Sequence, residues 1–546
     1  MHLKKDDSRL WRALTIAAAL LALLSVGLIV AGDAPLAKGQ TLVITAPEGE
    51  TLVGTYYPGE ENAGVLLLEG FGSDQVTMRS IASELARAGL HVLTCDFSGH
   101  GRSPGALTFD NAATDRLARQ VLAAKEAFKA ASGLADAEII LLGHSMGARV
   151  GLQAATLDPN PVAGLVLLGT QVNLATNVQS EVFTGIRDAD LAWVQRLGPD
   201  MPPAPILLIS GRWDDILTPA GADLLRAQLT DDQAADRELV LIERLLHNYE
   251  VFSPRALRVA KRWIAAQVNV PLSAAAPTAA RRIVLWITGW LGLMGAVLAG
   301  ERWAAAALPD PSPAPQARIA NMRRFLWAKL WLWPVALPLM ALVFALYWFV
   351  PLGTPVFNLT YVGFIGGYGL LMALLYALGR MPGVTGRFGL GETDASAIAR
   401  RRWLLAGGVS LALLGFTAAY ARTGWFHAPP VGTRLLWVLL FIPPTALGFR
   451  IGHHEARMLA AASASRRARW ALTAVGLLPF FLWTAFQAAL GSLSGMVGGV
   501  QGLLILALVL AAGDLLARLL PRPWLVALVQ AALLYWLVLP QGVLFQ

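Results

Sequence analysis

The sequence predicts a chain of two structural classes, an α/β domain with a mostly parallel sheet followed by an all-α polytopic membrane domain. The first class is indicated by short apolar runs that alternate with helix-compatible segments over about residues 40–270. The second follows from composition, because 55% of the 546 residues are hydrophobic and only 15% are charged, unlike ordinary soluble domains. Apolar runs long enough to cross a bilayer also recur beyond residue 283.

A turn between a strand and a helix carries the first candidate functional residue. An apolar run at 139–141 is followed by the pentad Gly-His-Ser-Met-Gly at 143–147 and then by a helix-compatible segment. Glycines two positions before and after the serine let the backbone bend sharply, so the hydroxyl projects from the sheet. Ser145 is therefore the candidate nucleophile.

An acid and a histidine follow this serine along the chain. The buried-strand pattern at 204–211 leads to Asp214 and Asp215, and His247 comes after the next strand-like run. A serine hydroxyl becomes a strong nucleophile when an imidazole takes its proton and a carboxylate orients that imidazole. We predict Asp214 as the acid and His247 as the base. Asp215 stays the alternative acid, because adjacent carboxylates point to different sides of the chain.

Backbone N–H donors are needed where negative charge develops on a substrate carbonyl oxygen. The predicted donors are the N–H of Met146, directly after the serine, and that of Phe71, in a glycine-rich loop after an apolar run. His100 is a rival imidazole, but it lies in a glycine-flanked turn before the serine, and we expect a structural role for it. Cys95 is the only cysteine, so no intramolecular disulfide is possible, and no metal or cofactor is predicted.

These features together resemble the α/β-hydrolase superfamily, particularly its lysophospholipase-like and serine aminopeptidase-like members. The resemblance is carried by the pentad at 143–147, the turn DFSGHGRS at 96–103 and the acid loop at 211–219. It covers less than half of the chain and implies an α/β-hydrolase fold with acyl-enzyme chemistry. Members often carry His-Gly at the oxyanion loop, whereas this chain has Glu69-Gly70.

The predicted organisation has five segments: a basic cytoplasmic tail at 1–12, a transmembrane anchor at 13–31, the hydrolase domain at 40–270, a linker at 271–282 and a membrane domain at 283–546. A cleaved signal peptide is the alternative for the first apolar run. Only about 171–203 remains for a lid over the site. About eight spans are predicted in the membrane domain, near 283–300, 328–350, 356–378, 403–420, 435–450, 470–490, 495–513 and 524–542.

Basic residues fall mainly in alternate connections between these spans, as in the runs 318–329, 380–402 and 450–469. The positive-inside rule then places these connections and the N-terminus in the cytoplasm and the hydrolase domain outside it. We therefore expect a multi-pass protein of a bacterial inner or plasma membrane. The net charge of +8 is explained by these connections, so no nucleic-acid partner is predicted. His453, His454 and Glu455 are expected to be solvated in one such loop.

The leading functional hypothesis is a membrane-embedded serine hydrolase that cleaves a lipid or other acyl ester through an acyl-enzyme. Its expected partners are the lipid bilayer and a small amphiphilic acyl-ester substrate. A membrane-anchored serine peptidase and an acyltransferase would use the same triad, and a non-catalytic ligand-binding or transport protein is a third alternative. The sequence leaves open the acyl and head groups, the protein partners and the oligomeric state.

Overall fold

A single eight-stranded sheet organises the hydrolase domain in the computed structural model, which describes residues 5–108, 112–170, 204–229, 236–271, 278–308, 317–386, 400–462, 466–520 and 522–545. The strands are β1 Gln40–Thr45, β2 Thr51–Tyr57, β3 Gly64–Leu68, β4 His91–Asp96, β5 Ile139–His144, β6 Gly164–Leu168, β7 Ile206–Gly211 and β8 Arg237–Ile242. Their order in the sheet is β1-β2-β4-β3-β5-β6-β7-β8. Strand β2 pairs antiparallel with β1 and with β4, and all other pairs are parallel.

Helices cover both faces of this sheet, which explains why its central strands are apolar without alternation. All five residues of β3 are buried. Leu66 and Leu68 face one hydrophobic cluster, and Val65 and Leu67 face the other. The helices before the membrane domain are α1 Lys5–Gly32, α2 Arg79–Arg87, α3 Ala113–Ser132, α4 Met146–Leu157, α5 Pro219–Leu229 and α6 Pro254–Val268. The predicted α/β class is confirmed.

The rest of the described chain is almost entirely helical. Its helices are α7 Ala279–Ala307, α8 Met322–Trp348, α9 Val356–Ala377, α10 Arg400–Ala421, α11 Thr433–Ala461, α12 Arg466–Gly476, α13 Leu478–Ala489, α14 Leu493–Leu519 and α15 Pro523–Val538. Within the described ranges, seven helices are long and apolar enough to cross a membrane: α1, α7, α8, α9, α10, α11 and α14. Helices α12 and α13 meet at a bend of 66°, and α15 is a shorter apolar helix.

Each predicted span falls on one of these helices or on the bent pair, although several boundaries differ. Helix α7 begins at Ala279, so the end of the predicted linker is helical, while residues 272–277 lie outside the described residues. Helix α15 ends at Val538, four residues before the predicted end of the last span. The segment predicted as a lid, 171–203, also lies outside the described residues.

The prediction that His453, His454 and Glu455 are solvated is wrong. Helix α11 continues to Ala461 and buries His454 and Glu455. Glu455 accepts hydrogen bonds from Lys329 Nζ at 2.5 Å and from Tyr376 Oη at 3.0 Å. Partners on two neighbouring helices therefore hold this polar stretch inside the bundle, and no property of the local sequence reveals such partners.

The hydrolase domain contacts the membrane domain at one end of its helices. The contacting stretches include 278–286, 353–357, 425–434, 492–501 and the C-terminal 544–545. Thr77 Oγ1 donates to Trp425 O at 2.9 Å, and Leu107 N donates to Leu544 O at 2.7 Å. Phe545 even joins the hydrophobic core of the hydrolase domain.

Candidate active site

The turn at Ser145 is held by close contacts that only glycine permits. Ser145 has φ 54° and ψ −117°, a conformation that residues other than glycine rarely adopt. A Cβ at Gly143 would lie 2.4 Å from the backbone of Gly147, and a Cβ at Gly147 would lie 2.4 Å from Glu69 O. The strained turn is thus wedged between β5, α4 and the oxyanion loop, and Ser145 N donates to Leu168 O at 2.9 Å.

The structure brings the three predicted triad side chains together. His247 Nε2 lies 2.9 Å from Ser145 Oγ, and His247 Nδ1 lies 2.8 Å from Asp214 Oδ2. Asp214 Oδ1 accepts from the N–H groups of Ile216 and Leu217, which fixes the carboxylate at the end of β7. Asp214 and His247 are each only 3% exposed. The arrangement can pass a proton from the hydroxyl to an oriented imidazole.

The two rival residues take other positions. Asp215 points away from His247 and accepts hydrogen bonds from Ser492 Oγ at 3.0 Å and Ser494 N at 3.1 Å in the membrane domain. His100 is buried in the turn after β4, where its Nδ1 lies 3.3 Å from Ser98 O. Burial lowers the pKa of His100 to about 4, so this imidazole stays neutral. Neither residue takes part in the Ser145–His247–Asp214 hydrogen-bond chain.

The two predicted oxyanion donors flank the serine. Met146 is the first residue of α4, and Gly70 brings the loop before Phe71 so close that a Cβ there would lie 3.2 Å from Ser145 Cβ. Across the described segments, the N–H groups of Phe71 and Met146 donate to no protein acceptor. Both groups are available to a substrate oxygen. The Phe71 ring is 40% exposed and packs against Phe357 and Phe545, each at 5.8 Å between ring centroids.

Glu69 replaces the histidine that related oxyanion loops often carry, and its side chain points into the domain. It is fully buried, and its Oε1 accepts from Phe97 N at 2.7 Å. Burial, reinforced by the nearby charge of Asp96, raises the pKa of Glu69 well above its ordinary value. A neutral carboxyl group can therefore join the oxyanion loop to the turn after β4.

Two buried groups next to the triad escaped the sequence analysis. Glu250 follows His247 by three residues in the short helix His247–Phe252, and its Oε1 accepts from Gly211 N at 2.7 Å. Burial and the charge of Asp214 raise its pKa well above the ordinary value. His144 Nε2 lies 3.1 Å from His247 O, and burial, followed by the charge of His247, lowers its pKa to about 3. His144 ends β5 inside the pentad, but nothing in the local sequence indicates a supporting role for it or for Glu250.

His144, His247 and Glu250 also form a group whose potential metal-ligating atoms lie within 4.8 Å of one another. Both ring nitrogens of His247 already face Ser145 and Asp214, and His144 Nε2 faces a carbonyl oxygen. A metal ligand needs a free lone pair on its donor atom. His247 therefore has no nitrogen left for a metal while it is bonded to Ser145 and Asp214, although His144 Nδ1 and Glu250 Oε2 have no hydrogen-bond partner among the described residues.

Comparisons with known proteins concern the hydrolase domain. Residues 59–204 match the protein family described as "Serine aminopeptidase, S33". An uncharacterised protein of Mycobacterium tuberculosis is 29% identical over 238 residues, 41% of this chain and 78% of that protein. An sn-1-specific diacylglycerol lipase of Danio rerio is 31% identical over 121 residues, 21% of this chain and 34% of that protein.

A solved esterase of Pyrococcus furiosus superposes with a TM-score of 0.35 at 18% identity, covering 42% of this chain and 90% of its own. The family match begins before β3 and ends after β6, so it includes the oxyanion loop and the serine turn. The membrane domain is not part of that match. The hydrolase domain belongs to the α/β-hydrolase superfamily, and the protein is an enzyme of the α/β-hydrolase type.

Proposed function

We propose that this protein is a membrane-embedded serine hydrolase that cleaves an acyl ester, with a lipid as substrate, through an acyl-enzyme. The observation that carries the proposal is the unbroken hydrogen-bond chain from Ser145 Oγ through His247 to Asp214, with distances of 2.9 and 2.8 Å. Such a chain forms only when three residues that are far apart in sequence meet at one edge of the sheet, where β5, β7 and β8 end. A structural role for the serine would require none of these contacts.

The proposed reaction has two halves. Ser145 Oγ attacks the ester carbonyl while His247 Nε2 takes its proton, and Asp214 stabilises the imidazolium that forms. The N–H groups of Phe71 and Met146 donate to the oxyanion. His247 then gives the proton to the leaving alcohol, and a water activated by the same imidazole releases the acid from Ser145. The chain's own residues supply every proton transfer.

Lipid is the proposed substrate class because the site lies beside the membrane domain. Three residues at the site contact the membrane domain. Phe71, a predicted oxyanion donor, packs against Phe357. Asp215 follows the predicted acid and bonds to Ser492, and Tyr249 lies two residues after the predicted histidine and bonds to Gln501. Trp213, 49% exposed, adds an apolar surface at the acid loop. A related Danio rerio protein is named as a diacylglycerol lipase, which agrees with an acyl-glycerol type of substrate.

The proposed orientation has a cytoplasmic N-terminus and an extracytoplasmic hydrolase domain. Its support is the sequence pattern, because the arginine-rich runs 318–329, 380–402 and 450–469 alternate along the chain with the stretches that contact the hydrolase domain, which agrees with the positive-inside rule. Reporter fusions after Val270 and after Pro315 test this topology. We expect an extracytoplasmic signal from the first fusion and a cytoplasmic signal from the second, and the reverse pattern would contradict the orientation.

The enzymatic test compares membranes that contain the wild-type protein or Ser145→Ala, each incubated with a total lipid extract. We expect fatty acids or lysolipids that appear only with the wild-type protein in the mass spectrum. A Ser132→Ala variant is the control, because the Ser132 hydroxyl donates to Phe128 O and accepts from Leu134 N at 3.3 Å, and neither partner belongs to the candidate site. Equal product from Ser145→Ala would reject Ser145 as the nucleophile.

A peptidase is the second candidate, favoured by the description of the matched family as serine aminopeptidase. The same membranes separate the two functions. Ser145-dependent fluorophosphonate labelling without any lipid product, together with cleavage of aminoacyl-arylamide substrates, would favour the peptidase. A Ser145-dependent product that carries the acyl group on an added alcohol would instead indicate acyl transfer.

A further inference from the structure

One membrane helix, α14, contacts both loops that carry the acid and the histidine of the triad. Asp215, the residue after Asp214, binds the first turn of α14. Tyr249, two residues after His247, accepts a hydrogen bond from Gln501 Nε2 at 2.7 Å. Ser494 and Gln501 are seven residues apart, so both contacts come from one face of α14.

The first contact is a helix cap supplied by another domain. Ser492 is the N-cap residue of α14, and its Oγ accepts from Gly495 N at 3.1 Å. The same hydroxyl donates to Asp215 Oδ2 at 3.0 Å, and Ser494 N donates to that oxygen at 3.1 Å. Ser494 Oγ also bonds to Asp215 Oδ1. The first N–H groups of a helix have no partner within the helix, and a carboxylate at this position accepts hydrogen bonds from them. Its negative charge also lies near the positive end of the helix dipole.

The hydroxyl groups of this contact have little access to solvent. Ser492 is 6% exposed and Ser494 is 3% exposed. Hydrogen bonds between a charged group and buried donors are shorter and stronger than neutral bonds at a surface. The Asp215 contact therefore holds the acid loop more firmly than a surface contact between two domains does.

The position of Asp215 connects the cap to catalysis. Asp214 and Asp215 share a peptide unit, so a shift of the Asp215 backbone moves the Asp214 carboxylate. Asp214 Oδ1 is bonded only within its own loop, to the N–H groups of Ile216 and Leu217. The backbone up to Asp214 is tied to the hydrolase domain, because Trp213 N donates to Leu245 O at 3.1 Å and Asp214 N donates to Gly211 O at 3.0 Å. The next residue, Asp215, is bonded to the first turn of α14. We propose that the first turn of α14 positions the catalytic acid loop, and that Asp215 is a positioning residue of the active site.

Other contacts between the domains provide the natural comparison. Thr77 Oγ1 donates to Trp425 O at 2.9 Å, at a place in the interface that holds no residue of the proposed triad. Thr77→Val removes one interdomain hydrogen bond without changing the shape of the side chain. If the interface only holds the domains together, Asp215→Asn and Thr77→Val should affect the enzyme in the same way.

The inference rests on the proposed serine hydrolase function, and its test uses the full-length protein in detergent micelles. The variants are Asp215→Asn, Ser494→Ala, their combination and the control Thr77→Val. Turnover of p-nitrophenyl butyrate gives kcat and KM, and a fluorophosphonate titration counts the reactive serines. Expressing kcat per labelled serine removes any effect of misfolded protein.

Asp215→Asn should lower kcat by about ten- to a hundredfold with little change in KM, because a small displacement of a catalytic group costs this much rate. Ser494→Ala should lower kcat to a smaller extent. The double variant should be no slower than Asp215→Asn, since both changes break the same contact. Thr77→Val should keep the wild-type kcat.

Three outcomes would overturn the inference. In the first, Asp215→Asn keeps the wild-type kcat per labelled serine and only melts at a lower temperature. In the second, Thr77→Val lowers kcat as much as Asp215→Asn does. In the third, the effects of Asp215→Asn and Ser494→Ala multiply in the double variant. A wild-type protein without fluorophosphonate labelling or ester turnover would instead reject the proposed function itself.

Discussion

The two sides of the candidate site are held in place by different parts of the molecule. Ser145 is fixed within the hydrolase domain, by glycines that let β5, α4 and the oxyanion loop approach to backbone contact. The loops of Asp214 and His247 are also bonded to membrane helix α14, through Asp215 and Tyr249. The position of Ser145 thus depends on the sheet and its glycines, whereas the acid and histidine loops, like the Phe71 ring of the oxyanion loop, also contact the membrane domain.

The contacts between the membrane domain and the acid loop are an addition that the hydrolase fold alone does not require. A soluble hydrolase can hold its acid loop with its own neighbouring elements. Here the C-terminal segment 544–545 and the first turn of α14 contact loops of the site, through Phe71 and Asp215. The membrane domain is therefore an integral part of the structure around the catalytic groups, in addition to any role as an anchor.

The largest expected effect separates the two neighbouring carboxylates. Asp214→Asn should lower kcat by about 10⁴-fold. The amide holds His247 in the wrong tautomer, and it cannot stabilise the imidazolium that forms when His247 takes the proton. Asp215→Asn should lower it far less, as argued for a positioning residue. Turnover of p-nitrophenyl butyrate by both variants measures the ratio. A larger loss in Asp215→Asn would exchange the roles of the two residues.

The nucleophile side should be sensitive to a single methyl group. Gly147→Ala would place a Cβ 2.4 Å from Glu69 O and 2.5 Å from Leu68 O, so the turn must move. We expect at least about a hundredfold slower fluorophosphonate labelling, since a displacement near 1 Å costs this much rate. Gly407→Ala in α10 is the control, because a Cβ at that position meets no described atom within 4 Å apart from its chain neighbours and the adjacent backbone of its own helix.

A milder change tests the second contact of α14. Tyr249→Phe removes the hydroxyl that accepts from Gln501 and keeps the ring. We expect a loss of a few-fold in kcat, because one neutral hydrogen bond contributes little to the position of the histidine loop. The same loss in Gln501→Met would assign the effect to this bond. An unchanged kcat in both variants would confine the role of α14 to the acid loop.

The smallest expected effect is a pH dependence of protein stability that arises from Asp74, at a part of the domain interface away from the triad. Burial and the charge of Asp96 raise the pKa of Asp74 to about 7, and Asp74 Oδ2 accepts from His427 N at 2.5 Å. The folded protein then keeps a proton that the unfolded chain releases near pH 4, so stability falls as the pH rises towards 7. We expect the melting temperature to drop by a few degrees between about pH 5 and 8. Asp74→Asn should show a flatter pH dependence.

The sequence could predict the elements whose signals are local. The pentad around Ser145, the strand patterns before Asp214 and His247 and most of the apolar runs follow from short-range chemistry. The last predicted span is an exception, because α15 is shorter than the helices that can cross a membrane. The contacts of Asp215, Glu250 and Phe545 could not be predicted. Each depends on a partner more than 30 residues away, such as Gly211 for Glu250, and no local pattern specifies that partner.

The buried polar stretch of α11 gives the same lesson. Glu455 and its neighbours have the composition of a solvated loop, yet Lys329 and Tyr376 from two other helices hold Glu455 inside the bundle. A prediction from hydropathy ends a membrane span at the first charged residues. A helix continues when tertiary partners satisfy the charge.

The central claim is that Ser145 forms an acyl-enzyme with a membrane lipid. Acid quenching of proteoliposomes during turnover, followed by digestion and tandem mass spectrometry, tests this claim most directly. We predict a peptide that contains Ser145 with the added mass of a fatty acyl group on that serine, lost in Ser145→Ala. Lipid hydrolysis with no acyl group on Ser145, or with the acyl group on another residue, would contradict the account.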